Sequence, residues 1–352
     1  MAGAGRLMEL GINHEFRGPS LTITPQELEQ YRELGLTWAK WPSTLGADID
    51  APDSKPSQFD TRRACEQARA AGLRPIIDLR TSTDQLEGLA MLAQFAYFDA
   101  GELSGDLDED MRLSNEDAQR AFLEEVSFII DLHRQWCADW EFWGEWGCPW
   151  TSRGKFENPI TYPGLLKAVS RTIKETQPEA RVWLGGYGMD LNPAHILLAL
   201  EHGAGEAFDV ANWHPYFMEI RDLEVARELM EKGFTEARTA LRVQGKNQPF
   251  ASSEWGYPTH DPDVPEPVLT YLASNVAKGG IAQLSCAEAV AWYEQDLTLM
   301  EQHGFETVCV HGLRDRMTAG KHWGNFCGLL TEDWRQKPTW EVVQQWAWKG
   351  RS

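Results

Sequence analysis

Trp140–Trp150 reads WEFWGEWGCPW. Five Trp or Phe side chains, two Glu and two Gly share these eleven residues. Alternation along an extended segment puts Glu141, Trp143 and Glu145 on one side. A buried carboxylate without a partner is costly, so two facing one way need a reason. Chemistry supplies one: among aromatic walls the ionised form of a carboxyl group is disfavoured, which suits a general acid. The rest of the chain is then expected to bring a second carboxylate to face Glu145.

Outward from this stretch the chain alternates short apolar runs with amphipathic helices. Strands are expected at Met8–Asn13, Leu36–Trp41 and Leu73–Leu79, with Trp140–Trp150 as the fourth. Four more follow at Arg181–Tyr187, Phe208–His214, Pro249–Glu254 and Phe305–His311. Thr24-Pro-Gln-Glu27 is a capping-box pattern with Pro at the first helical position, opening a helix that ends at Gly35. Further helices are expected over Asp60–Ala71, from an N-cap at Ser114, and over Tyr162–Thr176 and Pro193–His202. Leu223–Val243, with a break near Gly233, Ala287–Gln302 and Pro338–Trp348 complete the set. Less regular stretches hold a short helix at Asp84–Phe98, a solvated acidic loop at Gly101–Asp110 and a helix over Val268–Lys278. Eight strands alternating with helices predict an α/β fold, a (β/α)8 TIM barrel. One domain over residues 1–352 is expected, with loop insertions near 81–113 and 256–286. An open doubly wound sheet is the competitor, but no Gly-rich turn follows the first strand, and Gly185-Gly186 alone is a weak signal.

Composition narrows the class. The 352 residues are 42% hydrophobic and 24% charged, as in a globular protein. A net charge of −20 argues against nucleic acid or an anionic membrane as partner. The six Cys show no CxxC or Cys/His ligand spacing, so free thiols in a reducing compartment are expected. Residues 1–20 lack a basic start followed by an apolar run, and no run approaches membrane-span length. A cytoplasmic protein is the expectation, or a secreted one if a longer precursor was trimmed. Sixteen Trp is the compositional outlier. Flat indole faces stack on sugar rings, so those beside candidate carboxylates stand apart from the ones that pack the core.

Barrel chemistry sits at the C-terminal strand ends. Those ends carry Asn13, His14 and Glu15; Lys40 and Trp41; Asp78 and Arg80; Glu145; Tyr187; His214 and Tyr216; Glu254; and His311. Glu145-Trp146 and Glu254-Trp255 stand out, each following an aromatic or apolar strand. Strands four and seven lie nearly across a barrel of eight, so the two carboxylates can face each other. A separation of about 5–5.5 Å would suit retaining glycoside cleavage.

These residues resemble the clan A retaining glycoside hydrolases, with family 39 and family 5 members closest in feel. WEFWGEW around Glu145 is similar to their strand-four motif WEIWNEP. Pro249–Glu254 fits P-x-x-x-[ST]-E, and Asp209–Tyr216 fits D-x-x-x-x-H-x-Y. Gly324–Pro338 resembles the G-L-L-x-x-D-x-x-x-K-P segment after strand eight. The match runs from about residue 115 to the end and is looser before. The resemblance implies Glu145 as acid/base and Glu254 as nucleophile, with Tyr216 bonded to the nucleophile and His214 shaping the sugar subsite. Asn13, Trp41, Trp146, Trp255, His311 and Trp323 complete the candidate substrate contacts. No metal or organic cofactor is implied, and the partner is an oligosaccharide or glycoside.

Two departures qualify the match. The family places Asn before the acid/base Glu, where its amide bonds the sugar 2-hydroxyl; this chain has Gly144. Either another residue substitutes, with Asn13 or Asn212 as candidates, or the sugar differs at C2, or activity is weak or absent. Strand eight ends Cys309-Val310-His311 rather than in a Trp, a place Trp323 could fill from the following loop. A catalytically decayed barrel that binds carbohydrate is therefore the alternative. A metal-dependent hydrolase using Asp78, His214 and His311 is a third reading, without an HxH ligand pair to support it. Glu141 is read as a structural carboxylate bonded within the barrel, to Arg80 or Lys40.

Overall fold

The computed structural model describes residues 7–14, 23–45, 58–81, 109–145, 161–186, 193–216, 220, 222–260, 284–316 and 326–349. The barrel strands are β1 (Glu9–Asn13), β2 (Trp38–Leu45), β3 (Arg74–Thr81), β4 (Asp139–Phe142), β5 (Arg181–Leu184), β6 (Ala211–Asn212) and β7 (Phe250–Trp255). A parallel side pair, β8 (Thr259–His260) and β9 (Leu284–Ser285), precedes the eighth barrel strand, β10 (Phe305–Val310). The sheet order is β5-β4-β3-β2-β1-β10-β7-β6, all parallel. A parallel bridge between Trp183 and Val210 joins the two end strands. The fold is a (β/α)8 barrel, as the alternation predicts.

Between the strands run α1 (Pro25–Leu34), α2 (Gln58–Ala70), α3 (Glu109–His133), α4 (Thr161–Thr176), α5 (Ala194–Glu201), α6 (Leu223–Val243), α7 (Cys286–Gln302) and α8 (Pro338–Trp348). Thr24 and Glu27 form the expected capping box, and Gly35 closes α1 in the left-handed region at φ 73°. Ser285 and Glu288 build a second box on α7. Two helix expectations need correction. α3 starts at Glu109, so Ser114 lies inside it rather than capping it, and Glu109-Asp110 are helical rather than loop. α6 runs unbroken through Gly233, which is buried against its neighbours. The expected helices at Asp84–Phe98 and Val268–Lys278 fall outside the described residues.

Strand ends also differ. β6 is two residues long where seven were expected, and at its start the Asp209 carboxylate takes the Val182 N–H (2.8 Å) beside the ladder. β4 stops at Phe142, because Trp143 and Glu145 adopt φ of 59° and 60°. A left-handed residue breaks strand alternation.

The interior is layered. At the N-terminal end Glu9, Arg74, Asp139, Arg181 and Glu306 form ion pairs. Above them Trp38, Ile76, Trp183, Val210, Ala251 and Cys309 form a compact apolar plug. Gly11 completes this layer: a Cβ there would meet the Trp38 Cβ at 2.6 Å. Alternation then brings Lys40, Asp78, Glu141 and Asn212 inward as a fully buried polar layer. The larger apolar core fills the space between strands and helices.

Candidate active site

The polar layer supports everything above it. Lys40 Nζ lies 2.9 Å from Glu141 Oε2, 3.5 Å from Asp78 Oδ2 and 3.2 Å from Ser253 Oγ. Glu141 Oε1 accepts from the Asn212 amide (2.9 Å) and from the Gly186 N–H (3.0 Å). Burial opposes ionisation of Glu141, but Lys40, His214 and Gly186 outweigh it and hold the carboxyl well below its usual range. Glu141 is thus a structural carboxylate paired to Lys40. Asp78 Oδ1 accepts the Gly144 N–H at 3.0 Å, fixing the chain just before Glu145.

Glu254 reaches the mouth through a fault in the ladder. Val308 pairs with Ser252 and Val310 with Trp255, so β7 carries one extra residue there, a β-bulge. The bulge lets Ser253 and Glu254 both face the interior. Glu254 is buried, and its Oε2 accepts from the Asn13 amide at 2.9 Å. Its Oε1 accepts from the Tyr216 hydroxyl at 2.8 Å and lies 3.1 Å from His311 Nδ1. Donors aimed at a carboxylate stabilise its charge. Burial and Glu254 both push the Tyr216 phenol well up, so it stays a neutral donor.

Glu145 is buried at the exit of β4, its N–H bonded to Gly186 O at 2.5 Å. Tyr162 on α4 fastens the same exit: its hydroxyl donates to Phe142 O (2.9 Å) and accepts from Gly185 N (2.8 Å). His214 stands between the layers. Its Nε2 lies 2.8 Å from Ser253 Oγ and 3.7 Å from Glu141, and its Nδ1 lies 3.5 Å from Glu145 Oε1. Burial alone would lower His214, but Glu141, Glu145 and Glu254 raise it to about 9. The ring rests on Gly186, where a Cβ would come within 2.2 Å. One oxygen each of Glu145 and Glu254 and a His214 ring nitrogen lie within 4.8 Å of one another.

Six of the expected site residues therefore converge: Asn13, Glu145, His214, Tyr216, Glu254 and His311. Two do not. Trp41 neighbours inward-facing Lys40, so it points to the helix layer, fully buried and stacked on His14 at 4.9 Å. Trp255 follows the bulge and also points outward, fully buried against Tyr293. Neither indole has a face open to a sugar. Trp146 and Trp323 lie outside the described residues. Asn212, a candidate for the 2-hydroxyl, spends its amide on Glu141 and on Ser253 Oγ, at 2.9 Å each. The Asn13 amide goes to Glu254 instead. Sequence reasoning missed Ser253 and Gly186. Their signals were the residue before Glu254 and the second Gly of Gly185-Gly186.

No protein-family model and no curated protein matches the chain. Solved structures do. A family 39 glycoside hydrolase from Bacteroides cellulosilyticus is 16% identical at a TM-score of 0.59, covering 97% of this chain and 64% of its own. A β-glucuronidase from Ruminococcus gnavus is 12% identical at 0.58, covering 97% of this chain and 50% of its own. A hyperthermostable endo-1,4-β-D-mannanase from Thermotoga petrophila is 14% identical at 0.58, covering 97% and 99%. The chain thus spans half to two-thirds of the length of the first two. At such identities the shared feature is the (β/α)8 barrel itself.

Proposed function

We propose that the chain is a retaining glycoside hydrolase that cleaves a β-linked glycoside by double displacement. The observation that carries this reading is the pair of carboxylates from β4 and β7, with oxygens within 4.8 Å across the mouth. That is the short spacing of retaining enzymes, about 5–5.5 Å between carboxyl groups. An inverting pair stands further apart to admit a water. The fold shared with three glycosidases agrees, as does the clan A motif order.

The division of labour follows from surroundings. Glu254, held by Asn13 and Tyr216, is the nucleophile: an oxygen bonds the anomeric carbon as the C–O bond to the leaving group breaks. Glu145, across the mouth and 3.5 Å from His214 Nδ1, gives its proton to the departing oxygen. Water then attacks the anomeric carbon, Glu145 takes the water proton, and the ester to Glu254 breaks. Neither step requires a metal or organic cofactor.

Trapping with 2-fluoro glycosides of several sugars, followed by peptide mass analysis, tests the assignment. Label is expected on Glu254, and Glu254→Ala should lower kcat by at least about 10⁴-fold. Label on another residue, or unchanged turnover in both Glu254→Ala and Glu145→Ala, overturns it.

A decayed, sugar-binding barrel is the second reading. It is favoured by Gly144, together with the commitment of the Asn13 and Asn212 amides to protein carboxylates. Calorimetric sugar binding with no hydrolysis across an aryl-glycoside panel would select it.

A further inference from the structure

The turn out of β7 is anchored from behind. Trp255, the residue after Glu254, sends its indole outward, and Nε1 donates to Asp296 Oδ2 at 3.0 Å. Two residues later the Tyr257 hydroxyl donates to the same oxygen at 2.5 Å. Asp296 belongs to α7, is fully buried, and its Oδ1 has no hydrogen-bond partner among the described residues. Between the two anchored residues lies Gly256, in the left-handed half of backbone space at φ 157°. On the other side of the turn, the Trp255 carbonyl accepts the His311 N–H at 2.7 Å. His311 Nδ1 is itself 3.1 Å from Glu254. One carboxyl in the helix layer therefore grips both sides of Gly256, two residues past the proposed nucleophile.

We propose that Asp296 is a positioning residue for Glu254, fixing the β7 exit by accepting from Trp255 and Tyr257 together. The proposal rests on the reading of Glu254 as nucleophile. No reacting atom touches Asp296; it acts through the backbone that carries Glu254.

The same geometry makes the anchor sensitive to pH. An ionised Asp296 draws both donors most strongly, as charge-assisted hydrogen bonds are the stronger kind. Burial works against that charge and pushes the carboxyl up to about 7, with Tyr257 and Trp255 pulling it down. The titratable groups facing it are Tyr257 from the β7 exit and Tyr293 from its own helix. Tyr293 in turn faces Asp315 and Cys327. Burial raises both tyrosines, so neither changes charge near neutrality. Burial also raises Asp315, to about 6, but it pairs with Lys337 behind Tyr293, so Asp296 is the group touching Trp255 and Tyr257 whose charge changes near neutrality.

Asp296→Asn tests this with little change in volume. Two readouts are needed: the pH profile of kcat on the best aryl glycoside, and the melting temperature across the same range. Wild type is expected to show an ionisation near 7 in kcat that the variant lacks, with the variant plateau roughly threefold to tenfold lower and KM little changed. Tyr257→Phe removes one donor without touching the carboxyl, and the two changes should be less than additive in kcat. Linkage gives the thermal prediction. A carboxyl raised in the folded state holds its proton where the unfolded chain has lost it, so wild type loses stability from about pH 4 up to about pH 7. The variant lacks that slope, so its melting temperature gains on wild type up to about pH 7 and then runs parallel.

A uniform loss of melting temperature at every pH, with an unaltered kcat profile, would mean a merely structural role and overturns the proposal. So would additive effects of the two variants. If wild type turns over no glycoside, it is the proposed function that fails. The pH dependence of the melting difference then still decides whether Asp296 titrates at the anchor.

Discussion

At the scale of single residues, His214 is the most informative side chain. The resemblance implies that it shapes the sugar subsite, and it is fully buried among Glu141, Glu145 and Ser253. A protonated imidazole there neutralises the polar layer and faces the proposed acid/base. Its consequence for stability has a definite sign. The folded value is raised to about 9 from an ordinary 6.5, against the cost of burial, by Glu141, Glu145 and Glu254. The stabilisation is thus fully present below 6.5 and drains away as pH rises through 9. The part of it that comes from Glu141 is the same attraction that depresses Glu141 and is not additional to it. In His214→Gln, urea midpoints at pH 6 and 9 should differ by much less than in wild type. An equal decline in both proteins would show that His214 is neutral in the fold. That Glu145 and Glu254 are the carboxylates at the ends of strands four and seven was readable in the sequence, because Glu before an aromatic at a strand end is a local pattern. The destination of each amide was not. Asn13 and Asn212 point at carboxylates 241 and 71 positions away in sequence, a matter of barrel closure that no local spacing encodes.

At the scale of elements, the exits of β4 and β7 depart from ideal strands, and those departures aim the two glutamates. β4 ends in left-handed Trp143 and Glu145, two non-glycine residues in a conformation that costs of order 1–3 kcal/mol each. Neighbouring contacts must hold that exit. Tyr162 makes two of them at once, to Phe142 O and Gly185 N, and its ring stacks on Phe142 at 5.8 Å. Tyr162→Phe keeps the stack and leaves both backbone groups without the hydroxyl. A loss of about 1–3 kcal/mol is expected, with a fall in kcat greater than the change in KM, because Glu145, the proposed acid/base, loses its fixed position. A stability loss of that size with kcat intact would show that β4 holds its exit without Tyr162. Strand and helix order was legible because the alternation of apolar runs with capped helices repeats along the whole chain. The β7 bulge was not. Phe250–Trp255 alternates plausibly in either phase, so Glu254 and Trp255 could not both be assigned a side until β10 supplied the register. The same ambiguity led Trp255 to be read as a sugar platform.

At the scale of the whole molecule, the barrel separates stability from chemistry along its axis. The site occupies the C-terminal end, the buried Lys40–Glu141 layer lies beneath it, and the apolar plug isolates both from the N-terminal floor. That floor is held by Arg181, whose Nε lies 2.7 Å from Asp139 Oδ1 and whose other end pairs with Glu306. Trp183 Nε1 donates to the same Asp139 oxygen at 2.9 Å, and the Arg181 guanidinium lies 5.7 Å from the Trp38 and Trp183 ring centres. Arg181→Met keeps most of the packing volume but removes the Arg181 charge from two nearly buried carboxylates, 12% and 11% exposed. Removing one partner of a fully buried pair costs about 3–5 kcal/mol, because the charge left behind is poorly solvated, and the partial exposure of Arg181 puts the loss at the low end. The plug layer stands between this loss and the mouth, and barrel floors serve stability rather than catalysis. Urea unfolding should therefore show the full loss, while kcat/KM on the best substrate stays within about twofold of wild type. A large fall in kcat/KM in a protein that remains folded would show that the floor and the site are mechanically one unit. The independence of the two barrel ends would then be wrong for this chain.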